Sequence, residues 1–111
     1  MKVAIVGSRT LVVNNLCDYL PDGTTEIVSG GARGIDECAA EYAKKMGIAF
    51  TEIKPDYNRY KKGAPLVRNK EIVEMSDFVL VFWDGESRGT KYVIDMCERI
   101  GKEREVYIIK T

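Results

Sequence analysis

The hydrophobic positions along this chain follow two different spacings. Short runs rich in β-branched residues, typical of strands, alternate with longer stretches in which apolar residues recur every three or four positions, typical of helices. The run Phe78–Trp83 is the most continuously apolar and is therefore predicted to be a central strand. In all, the pattern predicts five strands, at residues 2–6, 26–29, 49–53, 78–83 and 106–109.

Helices are predicted in the intervals between these strands. Pro21–Gly23 is a turn signal, Gly47 is a C-terminal glycine, and Pro65 suits a first helical turn. These limits predict helices at residues 11–20, 35–46 and 65–76 and one that follows Gly89 and Thr90, with a polar, basic loop at 54–63. Alternating strands and helices favour a parallel sheet covered on both faces, and right-handed crossovers then predict a Rossmann-like three-layer α/β sandwich with strand order 3-2-1-4-5.

Length and charge narrow the class of protein. The 111 residues suit one domain, residues 1–111, and no biased or single-sign run marks a linker. The 17 basic and 17 acidic residues cancel, so no whole-molecule field would draw the protein to DNA or to an anionic membrane. The apolar run at the start ends at Gly7, too short for a signal peptide, and no long apolar span follows. We therefore expect a cytoplasmic protein without a membrane partner, with nucleic-acid binding disfavoured.

The cysteine and histidine content limits the chemistry. Cys17, Cys38 and Cys97 are widely spaced, and the chain has no histidine. Zinc sites and Ser-His or Cys-His catalysis are thereby disfavoured, so we expect neither a metal site nor a cofactor. The three cysteines are expected to be small, buried, apolar side chains on helices.

Three strand ends combine glycine with hydroxyl or arginine side chains: residues 7–9, 30–34 and 84–90. Glycine lets the backbone approach a ligand, and the free N–H groups of a following helix attract an anion. Each loop alone is also explained as a turn or a helix cap. The predicted topology, however, brings all three to one sheet edge, at the switch between strands one and four, where ligands of such sheets bind. We therefore predict a pocket for a phosphate-bearing, nucleotide-type ligand, with side-chain donors from Ser8, Arg9, Arg33, Ser87, Arg88 and Thr90.

Two familiar nucleotide motifs are absent. The first loop lacks the dinucleotide spacing Gly-x-Gly-x-x-Gly, and the chain lacks the Walker pattern Gly-x-x-x-x-Gly-Lys-Ser/Thr. NAD bound in the usual Rossmann manner and P-loop hydrolysis of a nucleoside triphosphate are therefore disfavoured.

Several polar residues elsewhere allow more than one interpretation. Arg68 and Asn69 interrupt a core-facing helical surface, so they either bond nearby backbone carbonyls or extend into the pocket. Asp36 either caps its helix, orients Arg33 or accepts a hydrogen bond from a ribose hydroxyl. The basic residues of the loop at 54–63 are expected to form a solvated surface: Arg59, Lys61 and Lys62.

These motifs together resemble a known superfamily. Val6–Arg9, Val28–Asp36, Arg68-Asn69 leading to Ser76-Asp77, and Gly85–Thr90 are similar to the SLOG superfamily, specifically to its small stand-alone group of unknown function named after YspA. They also resemble the Rossmann core of the DNA-processing protein DprA. The resemblance, which spans Val3 to about Cys97, implies a Rossmannoid sheet that binds a nucleotide or nucleotide-derived ligand, and a homodimer or homotetramer. Its candidate ligand contacts, to which the loop itself adds Ser87, are Gly7, Ser8, Arg9, Gly30, Gly31, Arg33, Gly34, Asp36, Arg68, Asn69, Gly89 and Thr90.

Three functions remain open at this point. The preferred one is a binding or sensor domain for a small nucleotide, because no catalytic group is evident. The first alternative is an N-glycosidase resembling the LOG phosphoribohydrolases, whose Gly-Gly-x-Gly-Thr-x-x-Glu motif supplies a glutamate. Val93 stands in that slot, which leaves Asp84 and Glu86 as weak candidate acids. The second alternative is single-stranded DNA binding through arginines on phosphates, which the balanced charge disfavours.

Overall fold

The computed structural model describes residues 1–31 and 33–110. Ala32, part of the predicted glycine-rich loop, and Thr111 lie outside the described residues. The strands are β1 (Lys2–Gly7), β2 (Glu26–Ser29), β3 (Ala49–Glu52), β4 (Phe78–Trp83) and β5 (Arg104–Ile108). The helices are α1 (Ile35–Met46), α2 (Tyr57–Tyr60), α3 (Ala64–Met75) and α4 (Arg88–Ile100), with 3-10 turns at Leu16–Asp18 and Lys61–Gly63.

The sheet has the predicted parallel order, β3-β2-β1-β4-β5. β1 is central: it pairs in parallel with β2, where Ala4 lies opposite Val28, and with β4, where Ile5 lies opposite Leu80. The chain therefore leaves β1 towards one side of the sheet and later returns to its other side. This arrangement confirms the predicted Rossmann-like α/β fold and places the topological switch between β1 and β4.

Two apolar layers hold the helices to the sheet. On one face α1 and the segment between β1 and β2 pack against Ile5 and Phe82. On the other face α3 and α4 contribute Ile72 and Met96, which pack with Val81 of β4. The central strands are therefore buried on both faces, and their carboxyl ends place the loops that follow them at one edge of the sheet.

The helix predicted at residues 11–20 is wrong. That segment is irregular apart from the 3-10 turn Leu16–Asp18, although Leu11, Val13 and Leu16 are buried. Two β-branched residues followed by Asn14 and Asn15 disfavour a helix, since asparagine side chains compete for backbone hydrogen bonds. The apolar side chains fill the core from a segment with little regular structure, and their spacing resembles that of a helix.

Most other limits lie close to the predicted ones. The loop at 54–63 carries the short helix α2 and a 3-10 turn, which the sequence did not indicate. The cysteines differ from one another: Cys97 is buried and Cys38 is half-buried, but Cys17 is exposed, so the expectation of burial is wrong for Cys17. No helix in the described part of the chain is long and apolar enough to cross a membrane.

Candidate functional site

A cavity of about 340 Å³ opens at the carboxyl ends of β1 and β4, at the topological switch. We call this cavity the pocket. Its volume lies near the lower limit of the roughly 300–1,000 Å³ usual for small-molecule sites. Of the residues singled out from the sequence, its lining includes Gly7, Arg9, Gly30, Asp36, Arg68, Asn69, Asp84, Ser87, Gly89 and Thr90. The other sequence candidates lie outside that lining: Ser8, Gly31, Arg33, Gly34, Glu86 and Arg88.

Ser8 is buried behind the residues that line the pocket. Its side chain is buried, and its Oγ accepts a 3.1 Å hydrogen bond from the backbone N–H of Asp84 and lies 3.5 Å from Oγ1 of Thr90. The backbone N–H of Ser8 donates a 3.0 Å bond to the carbonyl of Phe82. Ser8 therefore joins the loop after β1 to the loop after β4 and fixes the spacing between them.

Asp84 organises the loop that leads into α4. Its Oδ1 accepts hydrogen bonds from the backbone N–H groups of Ser87 (2.8 Å) and Glu86 (2.9 Å), and its Oδ2 accepts one from Oγ1 of Thr10 (3.1 Å). The backbone bonds from Ser87 and Glu86 lower the pKa of Asp84 most, Thr10 and Ser8 lower it further, and partial desolvation opposes them. A carboxylate held in this way stays ionised at neutral pH and is unsuited to donate a proton.

Arg68 combines both roles left open by the sequence, and Asn69 borders the pocket beside it. Arg68 Nη1 donates a 3.0 Å hydrogen bond to the carbonyl of Gly30, and its Nε donates a 2.8 Å bond to Oδ1 of Asn69. Both side chains also line the pocket. The guanidinium is thus held by two hydrogen bonds and also borders the cavity, an arrangement suited to an anionic or carbonyl-bearing ligand.

Gly30 opens the region between Arg68 and Asp36. A Cβ built at Gly30 would lie 2.6 Å from Nη1 of Arg68 and 3.2 Å from Oδ2 of Asp36. The Asp36 side chain, in the first turn of α1, is part of a residue only 7% exposed. The missing side chain at Gly30 therefore lets a guanidinium and a carboxylate approach the end of β2 together.

The other loop glycines fall into two groups. At Gly7 a Cβ would lie 2.5 Å from the Ile35 side chain, and at Gly34, where φ is +74°, it would lie 2.6 Å from the carbonyl of Arg9. Close packing of α1 on β1 therefore requires glycine at both positions whether or not a ligand binds. Gly89 differs, because a Cβ there would have nothing within 4 Å and its φ is not positive.

Several residues of the pocket were not proposed as contacts from the sequence. Thr10 follows the first loop and bonds Asp84, while Pro65 and Leu66 begin α3. The remaining apolar residues of the lining come from the strand and helix faces: Val6, Ile72 and Val93. Thr10 adjoins the Gly-Ser-Arg motif and is the one that a search for hydroxyl donors at strand ends would have found. The apolar residues carry no such signal, since their spacing is that of ordinary core positions.

The described residues contain no group of three or more His, Cys, Asp or Glu side chains placed to hold a metal ion. The chemistry that the pocket offers is recognition of polar and anionic groups by Arg9, Arg68, hydroxyls and the start of α4, beside an apolar surface.

No family model matches the chain. The Gene 61 protein of Mycobacterium phage D29 is 33% identical over 114 residues, covering 90% of this chain and 90% of that protein. Two solved structures have a similar fold. DNA processing protein A from Helicobacter pylori, which binds single-stranded DNA, matches with a TM-score of 0.72 and 23% identity, covering 96% of this chain and 64% of that one. DprA from Streptococcus pneumoniae matches with a TM-score of 0.71 and 22% identity, covering 95% of this chain and 49% of that one.

Proposed function

This chain belongs to the family of the phage Gene 61 protein, and on that premise we propose that it binds a small nucleotide or nucleotide-derived ligand in the pocket. The phosphate of that ligand lies at the start of α4, against the backbone N–H groups of Gly89 and Thr90. Membership of the SLOG superfamily and assembly into a homodimer or homotetramer belong to the same proposal, supported by the resemblance of the glycine loops. A cytoplasmic location is also part of the proposal.

The observation that carries the proposal is Gly89. Glycine in a helix costs up to about 1 kcal/mol relative to alanine. At Gly89 neither a positive φ nor a close neighbour within the chain requires glycine, yet the residue lines the pocket. A ligand seated directly on the backbone of α4 supplies the missing reason, because only glycine allows a phosphate to approach the first-turn N–H groups closely.

The capping of α4 supports the same placement. Ser87, the N-cap residue, makes no side-chain capping bond, so the helix start is not satisfied in the usual way by its own cap. The dipole of this 13-residue helix favours an anion there. Arg9 adds a positive charge on the neighbouring loop, and Pro65 and Leu66 offer an apolar surface for a base.

Binding without bond cleavage fits the two acids that the sequence offered for catalysis, Asp84 and Glu86. The position at which LOG-like enzymes carry a glutamate is Val93, which lines the pocket and is buried. Asp84 is engaged by three hydrogen-bond donors that lower its pKa, and Glu86 is exposed outside the lining. A two-carboxylate glycosidase needs one acid that is protonated near neutral pH, and Asp84 is suited only to the ionised role.

Isothermal titration of the wild-type protein with nucleoside mono-, di- and triphosphates tests the proposal. We expect saturable binding of at least one nucleotide, weakened roughly tenfold in Arg9→Ala because one charge-assisted contact is lost. Arg99→Ala, in the last turn of α4, is the charge-matched control and should bind as the wild type does. Titrations without saturable binding would contradict the proposal, and so would equal weakening in both variants.

Single-stranded DNA binding is a second candidate, favoured by one further observation. The segment Tyr57–Lys62 follows β3, at the same sheet edge as the pocket, and mixes aromatic with basic side chains. Tyr57 is exposed, and the Arg59 guanidinium lies 5.2 Å from the centre of the Tyr60 ring. Stacking surfaces beside cations suit single strands, and the Helicobacter pylori protein of similar fold binds single-stranded DNA.

Fluorescence anisotropy with a labelled oligonucleotide at two salt concentrations distinguishes this candidate. If the protein binds DNA, the affinity for the oligonucleotide should fall steeply as the salt concentration rises. Binding should be lost when Lys61 and Lys62 are both changed to alanine. Lys44 and Lys45, exposed in the last turn of α1, provide the matched double substitution that should have no effect. No binding of the oligonucleotide, or binding whose affinity does not change with salt, would reject this candidate and leave the small-ligand proposal in place.

A further inference from the structure

The last strand, β5, lies at an edge of the sheet. In the described part of the chain only β4 pairs with it, in an unbroken parallel register over Arg104–Ile108. The strand has no proline and its register has no bulge, two devices that commonly keep an edge strand from pairing with another chain. At five residues it is also longer than β3, the four-residue strand at the opposite edge. β5 is therefore the edge better suited to receive a further strand.

The hydrogen bonds to β4 show which backbone groups of β5 point outwards. The carbonyl of Glu103 accepts a 3.0 Å bond from the N–H of Val79. At the other end, the N–H of Ile109 donates a 2.8 Å bond to the carbonyl of Trp83. Alternate residues of a parallel strand bond the same neighbour, so the odd-numbered residues of β5 bond β4. The even-numbered residues direct their backbone N–H and C=O groups away from the sheet: Arg104, Val106 and Ile108.

Two of these residues also expose apolar side chains. Val106 is 36% exposed and Ile108 is 58% exposed. Both face the α3 and α4 side of the sheet, because their register partners are Val81 and Trp83, which pack with that layer. Tyr107 points to the opposite face and packs against the core there. The outer edge of β5 thus offers backbone donors and acceptors beside apolar side chains on one face.

Like charges exclude the neighbouring antiparallel registers between two copies of β5. A two-fold axis at Arg104 or at Glu105 would place that side chain opposite itself. An axis at Tyr107 would place Arg104 opposite Lys110 of the second copy. Like charges directly opposite one another destabilise a strand pair. An axis at Val106 avoids all three arrangements.

The register centred on Val106 is self-complementary. It sets Val106 opposite itself and Arg104 opposite Ile108 of the second copy, so the outward backbone groups of both strands meet and bond. It also sets Glu105 opposite Tyr107 of the second copy. These two side chains are compatible, because the Tyr107 hydroxyl already donates a hydrogen bond to the Glu105 carboxylate within one chain. Backbone pairing, apolar contact and charge therefore favour the same arrangement.

We propose that two copies of this chain pair through β5 in antiparallel orientation, about a two-fold axis at Val106, and so join their sheets into one. After this pairing neither copy has an open β5 edge, so no further copy adds there. The inference rests on the proposed function only for the homo-oligomer included in it, and it does not involve the nucleotide.

Two measurements on the wild-type protein test the interface without any substitution. In sedimentation equilibrium without nucleotide, at high micromolar concentration, we expect twice the 12.5 kDa mass of one chain. Hydrogen exchange followed by NMR then tests the surface, because the N–H of Val106 points away from β4. In the dimer this amide should be protected as well as that of Tyr107, whose N–H faces β4. A monomer at every concentration, or a Val106 amide that exchanges far faster than that of Tyr107, would overturn the interface.

Substitutions at the axis give an independent test. Val106→Lys and Val106→Glu each bring like charges together, so each protein alone should have the mass of one chain, whereas an equimolar mixture should regain the wild-type mass. Val12→Lys, at a valine 68% exposed between β1 and β2, is the matched control and should keep the wild-type mass. A folded Val106→Lys protein with the wild-type mass, or a mixture of the two folded variants that stays monomeric, would overturn pairing at Val106.

Nucleotide titration of the same proteins separates the interface from the pocket. Saturable nucleotide binding by a monomeric wild-type protein would overturn the interface and leave the proposed ligand standing. A wild-type dimer that Val106→Lys dissociates, but that binds no nucleotide, would support the interface and contradict the proposed ligand.

Discussion

Arg68 Nη1 donates a 3.0 Å hydrogen bond to the backbone carbonyl of Gly30, which connects helix α3 to the end of strand β2. The bond crosses 38 positions of the chain and holds one side of the pocket to the sheet. The sequence predicted that the Arg68 side chain either bonds a backbone carbonyl or extends into the pocket. It does both, because the Gly30 carbonyl that it bonds belongs to a residue that lines the pocket.

Replacing Arg68 by alanine should therefore lower stability and binding together. Loss of the bonds to Gly30 and Asn69 at a partly buried site should lower the free energy of unfolding by about 1–2 kcal/mol. Urea denaturation measures this loss, with Lys70→Ala, an exposed residue of the same helix, as the control. An Arg68→Ala protein as stable as the control would show that the hydrogen bond between Arg68 and Gly30 does not hold α3 to the sheet.

The segment between β1 and β2 gives a second prediction. Leu16 is 1% exposed whereas nearby Val12 is 68% exposed, although both lie in the segment that connects β1 to β2. Leu16→Ala should lower the free energy of unfolding by about 2–5 kcal/mol through lost burial and a residual cavity, and Val12→Ala should change it by less than about 0.5 kcal/mol. Similar losses for the two variants in chemical denaturation would contradict the packing described here.

The pKa of Asp84 gives a prediction in pH. Because its carboxylate is favoured in the folded state, the folded pKa lies below the ordinary value of 3.8. The stability it contributes is present above pH 3.8 and is lost as the pH falls through the lowered folded pKa. Wild type should therefore be more stable than Asp84→Asn at pH 7, and the difference should disappear in strong acid. If the difference in the free energy of unfolding between the two proteins stayed constant from pH 7 down to pH 2, the ionised Asp84 carboxylate would not be its cause.

The cysteines should react in order of exposure. Cys17 is exposed, Cys38 is half-buried and Cys97 is buried, and burial raises the pKa of the Cys97 thiol. Thiol-modifying reagents should label Cys17 first and should not label Cys97 until the protein unfolds. Mass spectrometry of tryptic peptides after brief labelling identifies the modified residues, and early labelling of Cys97 would contradict its burial.

The strand order and the position of the pocket were predictable because they depend on strong, local signals. Phe78–Trp83 is uninterrupted and apolar, and Gly47 ends α1 in the left-handed conformation, as its position suggested. The segment at 11–20 was predicted wrongly because Leu11, Val13 and Leu16 are buried without a helix. Burial in that segment depends on tertiary packing, which the spacing of hydrophobic residues does not predict.

The site was harder to predict in detail. Glycine looked alike in every loop, yet Gly7 and Gly34 are required by neighbours from distant parts of the chain. Ser8 looked like a ligand contact, but its hydroxyl bonds the Asp84 backbone across 76 positions of the chain. Distinguishing a glycine that packs from one that faces open space needs three-dimensional contacts that no local pattern carries.

The most direct measurement compares Gly89→Ala with Gly63→Ala in nucleotide affinity and in the free energy of unfolding. Gly63 likewise has open space and no positive φ but lies outside the pocket. Alanine at Gly89 should stabilise the fold by about 0.5–1 kcal/mol while weakening nucleotide binding at least tenfold, because the new methyl group occupies the place of the phosphate. Gly63→Ala should leave the affinity unchanged. A Gly89→Ala protein that binds nucleotides as tightly as the wild type would contradict a phosphate seated at the start of α4.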